Sequence, residues 1–281
     1  MLDIRKEVSE LQSMYSERES RRLLSALILG GSGSGKTRFS CTGRRPIHID
    51  SFDPDGTKTV SNWIKEGWVI ADTRFEDSGF PLWDQVFEER LKSGYFNHIG
   101  TYVLDSFTTF SDAVMATVLS GLVRKADRGG TTKASKINTE LLRIPQENDY
   151  PLQMNILMNA LNSENGILRL PCDVIVIGHL EDKKNKQGAV IARGLYCTGK
   201  LMTRIPRLFQ EIYVCETEET SKGINWIVKT QPEGLGEART RMGSEGKLSF
   251  KESPDLMAIM RKCGLDPQHK SMPCLEKDAQ A

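Results

Sequence analysis

The sequence lacks any apolar run approaching the ~18 residues of a membrane-spanning helix, so no such span and no membrane partner are expected. Its six cysteines, Cys41, Cys172, Cys197, Cys215, Cys263 and Cys274, include no C-x-x-C pair and no nearby histidine pair. They read as free thiols of a reducing compartment, with no disulfide or zinc framework. The opening stretch MLDIRKEVSELQSMYSERESRR carries acids and bases throughout and has no apolar h-region, so it is not read as a secretory signal and a cytoplasmic location is expected. Charge bias is missing too: 38 Lys and Arg against 37 Asp and Glu leave a net +1. Any polyanion must therefore be held by a local patch. What remains is a globular composition, 38% hydrophobic and 27% charged, over 281 residues, enough for one large domain or two small ones.

Apolar periodicity places the elements. Ile4, Val8, Leu11 and Tyr15 recur three or four apart, which predicts an amphipathic helix over residues 2–18, packed on its own domain or on a neighbouring subunit. Strands are predicted at LLSALILGG, PIHIDSFDPDG, WVIADTRF, TYVLDSFTTF and LPCDVIVIGHL. Helices are predicted at FPLWDQVFEERLKSGYF, at SDAVMATVLSGLV with Ser111 or Asp112 as cap, and at PLQMNILMNALNS with Pro151 in its first turn. Residues 124–149 and 182–194 lack a period and are expected to be mobile. Beyond residue 195 the chain reads as strands and turns, RLFQEIYVCETEE and GINWIVKTQ being the clearest, then a short capped helix in SPDLMAIMRKCGL. Strands alternating with helices indicate a mostly parallel sheet covered on both faces.

One stretch carries chemistry. Gly30-Gly31-Ser32-Gly33-Ser34-Gly35-Lys36-Thr37 fits G-x-x-x-x-G-K-[ST] between a predicted strand and helix. Such a loop turns successive backbone N–H groups onto a phosphate chain, aided by the positive end of the helix that follows. Lys36 supplies a point charge to the terminal phosphates, and Thr37 offers a hydroxyl to Mg²⁺. These eight residues, with Arg38 after them, form the expected nucleotide-binding set. The metal also needs a carboxylate at the end of a buried neighbouring strand, and Asp105 closes TYVLD in that way. Ser106 follows it where a glutamate would otherwise activate water, so the base is sought on the adjacent strand, which ends in Asp50, Asp53 and Asp55. Asp53, just past the strand end, is favoured.

Together these residues resemble a family. The P-loop, HIDSFDPDG, TYVLDSFT, VIVIGHLED, YCTGKLMTRIPRLFQEIYV and GEARTRM follow one another as in phage-encoded RecA-like ATPases of single-strand annealing and recombination. The resemblance covers roughly residues 22–245. It implies an α/β P-loop NTPase fold with a RecA-like core over 21–250, C-terminal antiparallel strands, an N-terminal helix over 1–20 and a C-terminal helix and tail over 251–281. It implies ATP and Mg²⁺ as ligands, and a catalytic set of Lys36, Asp53, Asp105, His179, Arg239 and Arg241. His179 is the polar sensor of the terminal phosphate, followed by Glu181, while Arg239 and Arg241 reach a neighbour's site in trans. Single-stranded DNA is the implied partner, together with a single-stranded-DNA-binding protein and further copies of the chain in a ring or filament. The implied DNA contacts are Arg124, Lys125, Arg128, Lys133 and Lys136 in the first mobile segment and Lys183, Lys184, Lys186 and Arg193 in the second. Neither segment holds an aromatic residue, so base stacking and sequence preference are expected to be weak.

Other classes of protein also carry a phosphate loop. A P-loop kinase acting on a small molecule would use 124–149 as a lid. A GTPase needs N-K-x-D, and Asn185-Lys186-Gln187-Gly188 lacks the aspartate. A nucleotide-binding assembly or packaging protein would scarcely hydrolyse ATP.

Overall fold

The structure, a computed structural model, describes residues 3–21, 23–120, 134–137, 140–143, 145–221, 223–234, 236–243, 246–265 and 267–271. In chain order its elements are α1 (Ile4–Arg21), β1 (Ser25–Gly30), α2 (Lys36–Ser40), β2 (Ile47–Ser51), α3 (Ser61–Lys65), β3 (Val69–Asp72), α4 (Phe75–Lys92), β4 (Thr101–Asp105) and α5 (Phe107–Ser120). Then come β5 (Ala134–Ile137), β6 (Glu140–Arg143), α6 (Asp149–Asn162), β7 (Asp173–Lys184), β8 (Val190–Leu195), α7 (Leu201–Arg204), β9 (Glu211–Thr220), β10 (Gly223–Lys229), β11 (Lys251–Glu252) and α8 (Leu256–Lys262).

The central sheet has the order β11-β10-β9-β1-β7-β4-β2-β3, with β8 paired to β7 off this path. The strands from β3 to β9 pair in parallel, whereas β9–β10, β10–β11 and β7–β8 are antiparallel. Mostly parallel pairing with antiparallel C-terminal strands is the arrangement expected from the sequence. Strands β2 and β4 are buried at every residue, which explains their near-continuous apolar runs. Alternation along β1 sends Leu27 and Leu29 to one face and Ala26 and Ile28 to the other. The first face packs Trp83 and Phe87 of α4, Phe110 and Val114 of α5, and Leu157 and Leu161 of α6. The second packs Phe39 of α2 and Leu256, Ile259 and Met260 of α8. No helix among the described residues is long and apolar enough to cross a membrane.

Four expectations change. Strand β4 is not the neighbour of β1, because β7 lies between them and pairs with both. Helix α5 begins at Phe107 rather than at Ser111, and the fourth strand stops at Asp105. The side chain of Ser111 is instead engaged by Gln153 Nε2 at 3.0 Å. Within 124–149, β5 and β6 form an antiparallel ladder from Ala134↔Arg143 to Ile137↔Glu140, and α6 already starts at Asp149. Finally, 182–194 is a hairpin of β7 and β8 and not an irregular loop. Its turn is closed by Asn185, whose Oδ1 accepts from the N–H of Gln187 at 3.0 Å and of Ala189 at 2.9 Å, with Gly188 at φ +83°.

Helix α1 leaves Ile4, Val8, Leu11 and Met14 exposed. Its apolar stripe is thus not packed against the described part of its own domain.

Candidate nucleotide-binding site

The site is assembled at the carboxyl ends of the parallel strands, where loops leave the sheet. Strand β1 ends at Gly30, and α2 opens at Lys36. A Cβ on Gly30 would meet Ser34 Oγ at 2.4 Å and the Cys215 carbonyl at 2.6 Å, so only glycine passes there. Gly33 and Gly35 hold φ of +73° and +86°, the left-handed region that turns the loop back on itself. Helix α2 is only five residues long, so the loop amides rather than a helix dipole dominate the cradle. Beside the loop opens a cleft of about 580 Å³ lined by Gly31, Ser32, Ser34, Glu181, Arg193 and Glu216.

Lys36 is buried, and its ammonium donates to the carbonyls of Gly30 at 3.1 Å and Gly31 at 2.7 Å. Burial lowers its proton affinity, against the pull of Asp105, Cys215 and Asp53. A polyphosphate would add negative charge at this cation and restore its proton affinity. Thr37 Oγ1 donates to Asp105 Oδ2 at 2.7 Å. Burial pushes the Asp105 carboxyl up to about 6, with Thr37 opposing and Asp53 reinforcing the rise. Arg38 lies apart from this group, exposed, with its guanidinium 4.8 Å from the ring centroid of Trp63.

The three aspartates of the second strand have separate fates. Asp50 is fully buried and accepts from Trp83 Nε1 at 2.8 Å, Arg90 Nη1 at 2.8 Å and Tyr102 OH at 2.6 Å, with His48 Nε2 at 2.8 Å. Burial alone would raise its carboxyl, but His48, Arg90 and Tyr102 hold it below the usual range. Asp55 is exposed and ion-paired to Lys58 at 2.8 Å. Asp53 alone of the three turns into the site, its backbone N–H 3.3 Å from the Asp105 carbonyl. Its Oδ1 accepts from Thr109 Oγ1 at 2.5 Å and Ser106 Oγ at 2.9 Å, and its Oδ2 lies 3.4 Å from His179 Nε2. Burial works to raise this carboxyl as well, yet the bonds from His179, Thr109 and Ser106 win and keep it low.

His179 pairs in register with Gly30, so the intervening strand β7 brings the imidazole to the phosphate loop. Its N–H donates to Thr108 Oγ1 at 3.2 Å, and its carbonyl accepts from the Tyr196 N–H at 2.7 Å. Lys36, Thr37, Asp53, Asp105 and His179 are therefore one constellation. A hydroxyl and a carboxylate 2.7 Å apart are hard oxygen donors suited to Mg²⁺, which takes few protein ligands beside phosphate and water. No cluster of three or more His, Cys, Asp or Glu suited to a metal occurs among the described residues.

No protein-family model matches the chain. No curated protein matches it either. Among solved structures, it is similar to a KaiC-like protein of the hyperthermophilic archaeon Pyrococcus horikoshii, at 13% identity and TM-score 0.37, covering 73% of this chain and 77% of that one. It is also similar to the flagellar accessory protein FlaH of Methanocaldococcus jannaschii, at 10% identity and TM-score 0.37, covering 78% and 82%. Neither likeness bears on this chain's chemistry. The fold is read from the chain itself: a parallel α/β sheet whose central strand runs into the phosphate loop, extended by antiparallel strands, as in a RecA-like P-loop NTPase.

The remaining expected residues are dispersed. Arg239 is not at the site: its Nη2 donates to the carbonyls of Pro206 at 2.9 Å and Phe209 at 2.8 Å, tying two segments of its own chain. It bridges Ile212, which pairs with Leu27, so it lies three residues below Gly30, ~10 Å along the sheet. Arg241 is exposed beside it, its backbone N–H bound to Glu211 Oε1 at 2.8 Å. Arg193 is committed to Asp182 at 2.6 Å across the hairpin, so its charge is matched. Lys183, Lys184 and Lys186 are exposed around the hairpin tip. Arg124, Lys125, Arg128 and Lys133 lie outside the described residues, and Lys136 sits on β5. Thr109 and Glu76 were not singled out by the sequence, and Ser106 was named there only as the residue standing where a glutamate would activate water. Glu76 accepts from Ser51 Oγ at 2.8 Å beneath the Asp53 turn, a contact spanning 25 residues that no local pattern announces.

Proposed function

We propose that this chain is a Mg²⁺-dependent ATPase that acts on single-stranded DNA in recombination or strand annealing. The observation that carries the ATPase reading is the convergence of Lys36, Thr37, Asp105, Asp53 and His179 from four adjacent strands, β1, β7, β4 and β2. Loop amides and Lys36 bind the phosphates. Thr37 and Asp105 would hold Mg²⁺, which when bound neutralises developing charge on the phosphate oxygens. Asp53 accepts the proton of the attacking water, and His179, next to it, orients that water and contacts the terminal phosphate. Support for DNA as the effector is narrower: exposed Lys183, Lys184 and Lys186 crown a hairpin whose base is His179.

Steady-state ATP hydrolysis with and without single-stranded DNA tests both parts, with Lys36→Ala as the control. Stimulation by DNA, absent in the control, is expected. A rate indifferent to DNA would remove the DNA part, and nucleotide binding undiminished by Lys36→Ala would remove the site.

A further inference from the structure

Two hydroxyls hold one oxygen of Asp53. Ser106 Oγ and Thr109 Oγ1, from the turn that opens α5, both donate to Oδ1, at 2.9 and 2.5 Å. They are braced against each other, with Thr109 Oγ1 3.1 Å from both the hydroxyl and the carbonyl of Ser106. Asp53 itself sits in the Asp53-Pro54-Asp55-Gly56 turn, past the end of β2, where the sheet no longer fixes its side chain. A carboxylate there rotates about two bonds unless donors fix it. Helix capping is the bland explanation for the hydroxyls, but the Thr109 N–H is 3.4 Å from Ser106 Oγ, far longer than the bonds to Asp53.

We infer that Thr109 and Ser106 are positioning residues for hydrolysis: by occupying Oδ1 they present Oδ2, beside His179, as the oxygen that takes the proton from water. The proton leaves the attacking water for Oδ2 as the new oxygen–phosphorus bond forms and the bond to the leaving phosphate breaks. This rests on the reading of Asp53 as the base. The charged groups around it are Lys36 on α2, Asp105 at the end of β4, His179 on β7 and Glu76 on α4 through Ser51. A carboxylate turned by ~1 Å from its productive placement loses up to about a hundredfold in rate without losing substrate.

The test is steady-state MgATP hydrolysis by the full chain and its variants Thr109→Val, Thr109→Ser, Ser106→Ala and Asp53→Asn. Thr109→Val, which keeps the shape but not the hydroxyl, is expected to lower kcat about ten- to hundredfold with KM for MgATP changed less than about twofold. Thr109→Ser restores most of the rate. A wild-type kcat in Thr109→Val alongside an inactive Asp53→Asn overturns the positioning role while sparing the base. A wild-type rate in Asp53→Asn overturns both. If Thr109→Val does not fold, Ser106→Ala decides: reduced kcat at constant KM upholds the role, and an unchanged kcat ends it.

Discussion

At the residue scale, Asp105 shows chemistry set against stability. Its folded-state value of about 6 lies above the ordinary 3.8, so its contribution favours the fold below that ordinary value and is lost as pH rises through about 6. Above that window the ionised carboxylate costs the fold up to ~3 kcal/mol, at 1.36 kcal/mol per pKa unit. Asp105→Asn is therefore expected to abolish Mg²⁺-dependent turnover while unfolding at a higher temperature than the wild type at pH 7, the gap closing near pH 4. Melting curves at the two pH values check this, and a variant less stable at pH 7 would contradict it. Asp105 was legible in the sequence because a short buried strand and its terminal carboxylate are adjacent in the chain. The choice among Asp50, Asp53 and Asp55 was only half legible. What removes Asp50 from the site are Trp83, Arg90 and Tyr102, partners 33, 40 and 52 residues away.

At the scale of elements, the β7–β8 hairpin is the point where periodicity misled. Its polar run reads as an irregular loop, yet Asn185 and Gly188 supply the turn and Val190 begins the returning strand. The signal was present, hidden by the lysines that make the strand ends hydrophilic. Replacing Lys183, Lys184 and Lys186 by Gln is expected to weaken single-stranded DNA binding and to flatten log K against log salt by about 2, since each cation released from a single strand contributes about 0.7. Titrations at several salt concentrations measure it, and an unchanged slope would take the hairpin off the DNA path. Helix α1, by contrast, was located correctly from its three-and-four spacing, but periodicity says only that one face is apolar and not what covers it.

At the scale of the whole molecule, the phosphate loop and the ARTR segment occupy different levels of the same sheet, Gly30 against Cys215 and Leu27 against Ile212. A guanidinium at Arg241 is therefore away from the phosphate loop of its own chain and would serve a nucleotide only across a boundary between copies, whereas Arg239 is tied to carbonyls of its own chain. If Arg241 acts that way, Arg241→Ala and Lys36→Ala are each inactive, but mixing them in equal amounts restores activity at about a quarter of the interfaces of a head-to-tail assembly. Failure of the mixture, with both parents correctly folded, would leave Arg241 without a catalytic role. Particle mass in the same solutions reports whether an assembly exists. The order of the strands was the least legible feature, because pairing between β1 and β7 joins residues about 150 positions apart and nothing local encodes it. That insertion has a mechanical outcome. Residue 179, in the candidate site, and residues 183 and 184, near the tip, belong to one strand with a register shift only between the last two, so a displacement of that strand at the site is carried into the hairpin and not taken up by an intervening loop.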